Sequence, residues 1–145
     1  MRIAVISDTH DRLPSHVATA VAAADEIWHL GDVCAPAILD SLQSLGPKIR
    51  VVRGNCDSYS DWPLALDFAL GGHRFHLEHI PPHLPPQGCD FFLHGHTHVP
   101  RDESVGRVGF LNPGCITRPN RGAAASYAWL RLGPGPAVEW ELVRV

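Results

Sequence analysis

The chain begins with Arg2–Ser7, a short continuous apolar run of the kind that forms a strand buried on both faces. It breaks off in Ser7-Asp8-Thr9-His10-Asp11. Leu13, Val17, Val21 and Ala24 then recur at helical spacing, with Pro14 suited to a first turn. A second strand, Glu26–Leu30, runs into Gly31-Asp32. Ala35–Leu45 is again helical, with Ile38, Leu39, Leu42 and Leu45 on one face and Gly46-Pro47 as the stop. The third strand, Ile49–Val52, leads to Gly54-Asn55-Cys56-Asp57. This β-α-β-α-β order predicts a parallel sheet with right-handed crossovers.

After Trp62-Pro63 the period changes. Leu64, Leu66, Phe68 and Leu70 alternate with smaller or polar residues, which predicts a strand with one buried face. Gly71-Gly72 marks a hairpin turn, and Arg74–His79 is the returning strand. Ile80–Gly88 is proline-rich and reads as a stiff irregular loop. Cys89–His94 is a further strand, followed by Gly95-His96-Thr97-His98. Runs at Glu103–Val105, Val108–Asn112, Ser126–Leu132 and Val138–Val145, separated by glycine and proline, read as antiparallel strands. The expected whole is an α/β fold in which a parallel-type sheet faces a more antiparallel one, with helices outside.

Length and composition narrow the picture. A chain of 145 residues should form one domain over 1–145, with a core that needs no disulfides or structural metal as staples. The formal charge of −3 gives no basic footprint for nucleic acid and no polybasic membrane patch. No apolar run reaches the length of a membrane span, and the N-terminus enters a strand directly, so a cytoplasmic protein is expected. Cys34, Cys56, Cys89 and Cys115 form no C-x-x-C pair and read as thiols rather than bridges.

The candidate chemistry sits where the strands end. Ligands of parallel sheets collect beyond the carboxyl ends of the strands, so the loops bearing Asp8 and His10, Asp32, and Asn55 should share one edge. His96 and His98 form a His-x-His pair, and Gly95 is expected to allow the turn that brings both rings to one centre. With His79 these residues make a set of imidazole, carboxylate and amide donors without thiolate, which suits manganese, iron, cobalt, nickel or zinc. Seven donors exceed one tetrahedral zinc and suit two ions that share a bridging carboxylate.

The blocks SDTHDRLP, GDVC, RGNCDS, HGHTHVPR and LNPGCITRPNRG followed by SYAWLRL resemble the calcineurin-like metallophosphoesterase superfamily. More closely, they are similar to its small bacterial and archaeal phosphodiesterases, a group that includes the Vps29 scaffold. The resemblance runs the length of the chain. It implies a four-layer αββα sandwich and a metal-dependent hydrolase acting on a small phosphodiester substrate. Asp8, His10 and His98 would hold one ion and Asp32 would bridge to the second, which Asn55, His79 and His96 would complete. His76 and His83 are alternatives to His79, because the family usually has Gly after this His and here Ile80 follows.

Two divalent ions, manganese first among those named, would activate a shared water for in-line attack on phosphorus. Asp32, Asn55 and His96 are the residues expected to carry the reaction, with Asn55 steadying a phosphoryl oxygen and Arg12 a candidate phosphate contact. Larger family members carry His where Cys56 stands. A thiol suits that proton-donating role poorly, which predicts slow turnover and a preference for good leaving groups. Asp57, His29 and His94 are expected to support the site without binding metal, and Asn112 to shape a loop behind it. The competing readings are a non-catalytic Vps29-like scaffold and a phosphomonoesterase. Relatives form dimers or larger assemblies, so a homo-oligomer is among the expected states.

Overall fold

The apolar runs β1 (Arg2–Ile6), β2 (Glu26–His29) and β3 (Lys48–Val51) lie side by side and parallel in a computed structural model that describes residues 1–58, 61–84 and 86–145. Helices α1 (Ser15–Val21) and α2 (Ala37–Ser44) provide the crossovers that parallel pairing requires. α1 is shorter than the spacing from Leu13 to Ala24 suggests, because Pro14 is extended at ψ 138° and the helix starts after it. Leu13 and Ala24 still pack beside it against the same apolar cluster. α2 is capped by Leu45 and followed by Gly46, whose φ of 109° suits glycine.

The four C-terminal runs divide between the two sheets. β9 (Ser126–Leu132) pairs antiparallel with β1, and β10 (Val138–Arg144) pairs with β9, giving a first sheet ordered β10-β9-β1-β2-β3. The second sheet, β4-β5-β6-β8-β7, contains β4 (Ala65–Leu70), β5 (His73–Glu78), β6 (Phe91–Leu93), β7 (Arg101–Val105) and β8 (Val108–Asn112). β4 and β5 form the expected hairpin, with left-handed Gly71 and Gly72 at its turn. β6 is parallel to both of its neighbours, so the second sheet is mixed rather than antiparallel.

Ile3, Val5, Trp28 and Leu130 of the first sheet meet Phe75, Leu77, Leu93 and Leu111 of the second. Fully buried side chains of this kind contribute about 1.5–3 kcal/mol each. Both helices cover the outer face of the first sheet, burying Val17, Val21, Ile38, Leu39 and Leu42 against Ala4, Ile6 and Ile27. Among the described residues no helix covers the outer face of the second sheet. There His76 stacks on Phe92 and the Arg101 guanidinium lies 4.4 Å over the Phe110 ring, so side chains stand where a fourth helical layer was expected. The proline-rich loop read over Ile80–Gly88 includes residue 85, which lies outside the described residues.

Candidate metal centre

The loops after β1, β2, β3, β5 and β6 meet at one edge, as parallel strands require. Asp8 is fully buried there, and its Oδ2 accepts hydrogen bonds from Ser7 Oγ (2.6 Å) and the His96 N–H (3.2 Å). Its Oδ1 is buried without a hydrogen bond and lies 3.1 Å from His98 Nε2 and 3.9 Å from His10 Nε2. Ligand atoms of Asp8, His10, Asp32 and His98 all lie within 4.8 Å of one another.

Asp32 faces two ways. Its Oδ2 is 3.9 Å from His10 Nε2, on the side of that first group. Its Oδ1 accepts the Cys56 N–H at 2.8 Å and lies 3.4 Å from His79 Nε2. His79 belongs to a second group: Asn55 Oδ1 is 3.1 Å from His79 Nε2 and 2.8 Å from His96 Nδ1.

The outward ring nitrogens fix what the inward ones present. His79 Nδ1 donates to the Leu30 carbonyl at 2.6 Å and His98 Nδ1 to the Arg118 carbonyl at 2.5 Å. A carbonyl can only accept, so both Nδ1 atoms carry hydrogen. In neutral His98 the Nε2 lone pair then faces Asp8 Oδ1 at 3.1 Å, with His10 Nε2 3.3 Å away, while His79 Nε2 faces Asp32 Oδ1 at 3.4 Å. The His98 lone pair and the Asp8 carboxylate oxygen repel in a buried pocket unless a proton or a cation stands between them. The bare Asp8 Oδ1 has the same requirement. With nitrogen and oxygen donors only, the site fits first-row divalent metals.

The electrostatics agree. Burial raises the Asp8 carboxyl above its ordinary pKa, with the Ser7 hydrogen bond opposing. Burial would raise Asp32 too, but the His79 contact and the Cys56 N–H outweigh it and hold that carboxyl well below the usual range. Burial lowers His10, whereas for His79 the Asp32 carboxylate overcomes burial and raises it. Cys34 Sγ lies 3.7 Å from His10 Nδ1, but burial and nearby carboxylates push its thiol up to about 12, so it stays a neutral neighbour.

Local chain geometry is distorted to make this cluster. Asp8, His10, Asp32, His96 and His98 all have left-handed φ, between 43° and 67°. Such positions cost about 1–3 kcal/mol each and collect at functional sites. The expectation that Gly95 makes the turn is corrected, since the positive φ values belong to His96 and His98 themselves. Gly95 is needed for close approach: a Cβ there would collide with Ser7 Oγ and come within 2.8 Å of Asp8 Oδ2. A Cβ on Gly54 would likewise strike Asp32 Oδ1.

Asp57 ties two of the loops together. Its Oδ2 accepts the N–H groups of Asp32 (2.9 Å) and Gly54 (2.8 Å), and its Oδ1 accepts that of Cys34 (2.8 Å). Asn112 Nδ2 donates to the Gly95 carbonyl (3.0 Å) and to Thr97 Oγ1 (3.1 Å), shaping the His-x-His loop from behind. His29 and His94 are buried beside the cluster, His29 against Thr9 Oγ1 at 3.1 Å.

Residues 1–134 match the calcineurin-like phosphoesterase superfamily domain. The chain belongs to that superfamily. It is 31% identical to the phosphodiesterase YfcE of Escherichia coli K12 over 163 residues, covering 90% of this chain and 87% of the relative. It is 33% identical to a probable metallophosphoesterase of Methanothermobacter thermautotrophicus, covering 99% of this chain and 92% of that one. The solved structure of E. coli YfcE, described as a phosphoesterase, superposes with a TM-score of 0.77 at 29% identity, over 90% of this chain and 88% of that one. Vps29 of Entamoeba histolytica complexed with Zn2+ shares the fold, with a TM-score of 0.78 at 21% identity over 99% of each chain.

Membership in the calcineurin-like superfamily makes this a phosphoester hydrolase and implies divalent metal ions. All of the donors read from the superfamily's blocks lie in the two groups described above. The alternatives to His79 lie elsewhere. His76 is held between Asp67 (2.8 Å) and Glu78 (3.2 Å), and His83 is exposed in its loop. Arg12 is exposed and makes no ion pair among the described residues. Trp62 packs against the helix-side core. Sequence reasoning missed Ser7 and Cys34. Ser7 ends a strand in the manner of any turn-former, and nothing local to Cys34 signals its approach to His10.

Proposed function

We propose that this chain is a dinuclear metal-dependent phosphodiesterase, converting a phosphodiester and water into a phosphomonoester and an alcohol. Asp8, His10 and His98 would hold one ion, and Asn55, His79 and His96 the other. The observation that carries the reading is the Asp32 carboxylate, whose Oδ2 faces the first group while Oδ1 faces the second. Bound ions would acidify a shared water and neutralise phosphoryl oxygens. Manganese is the first ion to test, with nickel, iron, cobalt and zinc behind it.

The chain's own residues position the substrate and keep the donors in register. Asn55 is exposed at the site edge, with its Nδ2 3.4 Å from Cys56 Sγ, and can turn that N–H toward a phosphoryl oxygen. His96 presents its ring beside it. Burial and the neighbouring Asp32 raise the Cys56 thiol, and Cys34 is raised further, so neither supplies a thiolate nucleophile. The neutral Cys56 thiol is also a weak leaving-group acid, which favours diesters of acidic alcohols. Unpaired cysteines suit a reducing, cytoplasmic setting. Among the described residues no helix is long and apolar enough to cross a membrane.

The test is reconstitution after chelation. Calorimetry with manganese or nickel should find two equivalents bound, and bis(p-nitrophenyl) phosphate should turn over faster than p-nitrophenyl phosphate. His79→Ala should lose one equivalent and most activity, while Asp32→Asn should weaken both sites. Two bound ions without turnover would establish a scaffold instead, and faster monoester cleavage a phosphomonoesterase.

A further inference from the structure

Two cavities border the candidate centre, one at each partner of the Asn55–His96 contact. The first, of about 520 Å³, is bordered by His96 together with Pro81, Val99, Pro100, Arg101 and Arg121. The second, of about 380 Å³, is bordered by Asn55 together with Arg53, Asp57, Leu64, Glu78 and Ile80. Asn55 Oδ1 and His96 Nδ1 are 2.8 Å apart, so a phosphorus bound over this pair has a cavity at each partner for its two ester arms.

The cavities differ in charge. Among the described residues no Asp or Glu borders the first, which has Arg101 and Arg121 in its wall. Arg101 is committed, bonding Glu103 Oε1 at 2.6 Å through Nε and lying over the Phe110 ring. The Arg121 side chain has no ion-pair or hydrogen-bond partner among the described residues. The second cavity sets two carboxylates, Asp57 and Glu78, against Arg53, alongside the apolar Leu64 and Ile80.

Arg121 is held in place by the metal-centre loop. The Asn120 N–H donates to the His98 carbonyl (3.2 Å), and Asn120 Oδ1 accepts the Arg121 N–H (2.8 Å) in a left-handed turn at φ 50°. The Ala123 N–H closes that turn on the Asn120 carbonyl at 2.9 Å. One residue before the turn's proline, the Arg118 carbonyl accepts from His98 Nδ1. The backbone of Arg121 is therefore fixed relative to His98, and only its side chain is left to reach a ligand.

We infer that the substrate is an asymmetric phosphodiester: one ester arm carries a second phosphate that Arg121 binds in the first cavity, and the other arm is uncharged and sits in the second. This rests on the phosphodiesterase reading above. A guanidinium binds phosphate through paired N–H donors that an ammonium cannot match, and a charged hydrogen bond contributes about 1.5–3 kcal/mol. That corresponds to a preference of about 10- to 100-fold for the arm bearing the extra phosphate.

The experiment compares two chromogenic nucleoside diesters on the metal-loaded protein, identical except for a second phosphate on the sugar. Calorimetry alongside it measures binding of a nucleoside bisphosphate and of the matching monophosphate. Wild type should show a KM about tenfold or more lower for the phosphorylated diester, and a matching gap in Kd between the two nucleotides. Arg121→Ala should bring both ratios close to one, Arg121→Lys should restore part of them, and Arg121→Glu should invert them. Diester turnover with no preference for the added phosphate, or a preference that survives Arg121→Ala, would overturn the anion site and leave the phosphodiesterase intact. A Kd gap that depends on Arg121 in a protein that cleaves no diester would sustain the anion site and fail the hydrolytic reading.

Discussion

Asp57→Ala removes the carboxylate that joins the loop after β2 to the loop after β3. Three backbone N–H groups, on Asp32, Cys34 and Gly54, lose their acceptor together. Each hydrogen bond to a charged acceptor contributes about 1.5–3 kcal/mol when buried, and the half-buried setting brings this toward about 1 kcal/mol each. The summed loss of about 3 kcal/mol corresponds to a melting temperature lower by roughly 6–12 °C for a chain of this size. The same bonds hold Asp32 and Asn55 at their separation, so metal affinity should fall by about 10–100-fold, as is usual when the outer partners of metal ligands are removed. Thermal unfolding under chelation reads the first effect and calorimetric metal titration the second. Asp57→Asn retains one acceptor oxygen but turns an amide N–H toward the donors on the other side, so it should recover little of either. A melting temperature within about 2 °C of wild type, with unchanged metal affinity, would refute the clamp.

Other outcomes follow from the same geometry. Gly95→Ala places a methyl against Ser7 Oγ and Asp8 Oδ2 and should weaken metal binding at the first group, read by titration; full affinity would show that Ser7 yields without cost. Cys56→His should raise turnover of diesters with poor leaving groups more than that of aryl diesters, and an unchanged preference would count against Cys56 as the limiting feature. Burial lowers His29 to about 3 and His94 to about 4, against 6.5 for an ordinary His. Because the folded values lie below the unfolded one, the unfolded chain takes up more protons as pH falls. Stability is therefore complete above pH 6.5 and is lost below it, by up to about 1.4 kcal/mol per pH unit for each His. Urea unfolding of the chelated protein at pH 7.5 and pH 5 should show this, with a shallower slope for His29→Gln; equal slopes would remove His29 from the account.

The strained backbone explains why so much of the chain is devoted to so small a volume. Left-handed Asp8, His10, Asp32, His96 and His98 persist only because neighbouring bonds hold them. The Asp8 N–H is fixed by the Gly31 carbonyl and the His10 N–H by the Asp32 carbonyl, each at 3.0 Å, so the loops after β1 and β2 brace one another. Binding of cations among the acceptors returns favourable energy to a site that is costly to assemble without them.

Much of this was legible in the order of residues. An apolar run followed by a polar turn is a local signal, and it placed β1, β2 and β3 with Asp8, Asp32 and Asn55 just beyond them. Parallel strands deliver their carboxyl ends to one edge, so the meeting of those loops followed without knowledge of any side-chain contact. Strand alternation puts His76 and His79 on opposite faces and leaves His83 in the proline-rich loop, but which face meets the site depends on the pairing of β5 with β6. Leu77 opposite Leu93 carries His79 onward to the edge, while His76 opposite Phe92 faces outward. Periodicity could not assign β9 and β10 to the first sheet, reveal the close approach that Gly95 permits, or show Arg121 beside His96 without an acid for a partner. These features depend on contacts between residues such as Asp8 and His96, 88 positions apart, which exist only once both sheets have closed on their common core.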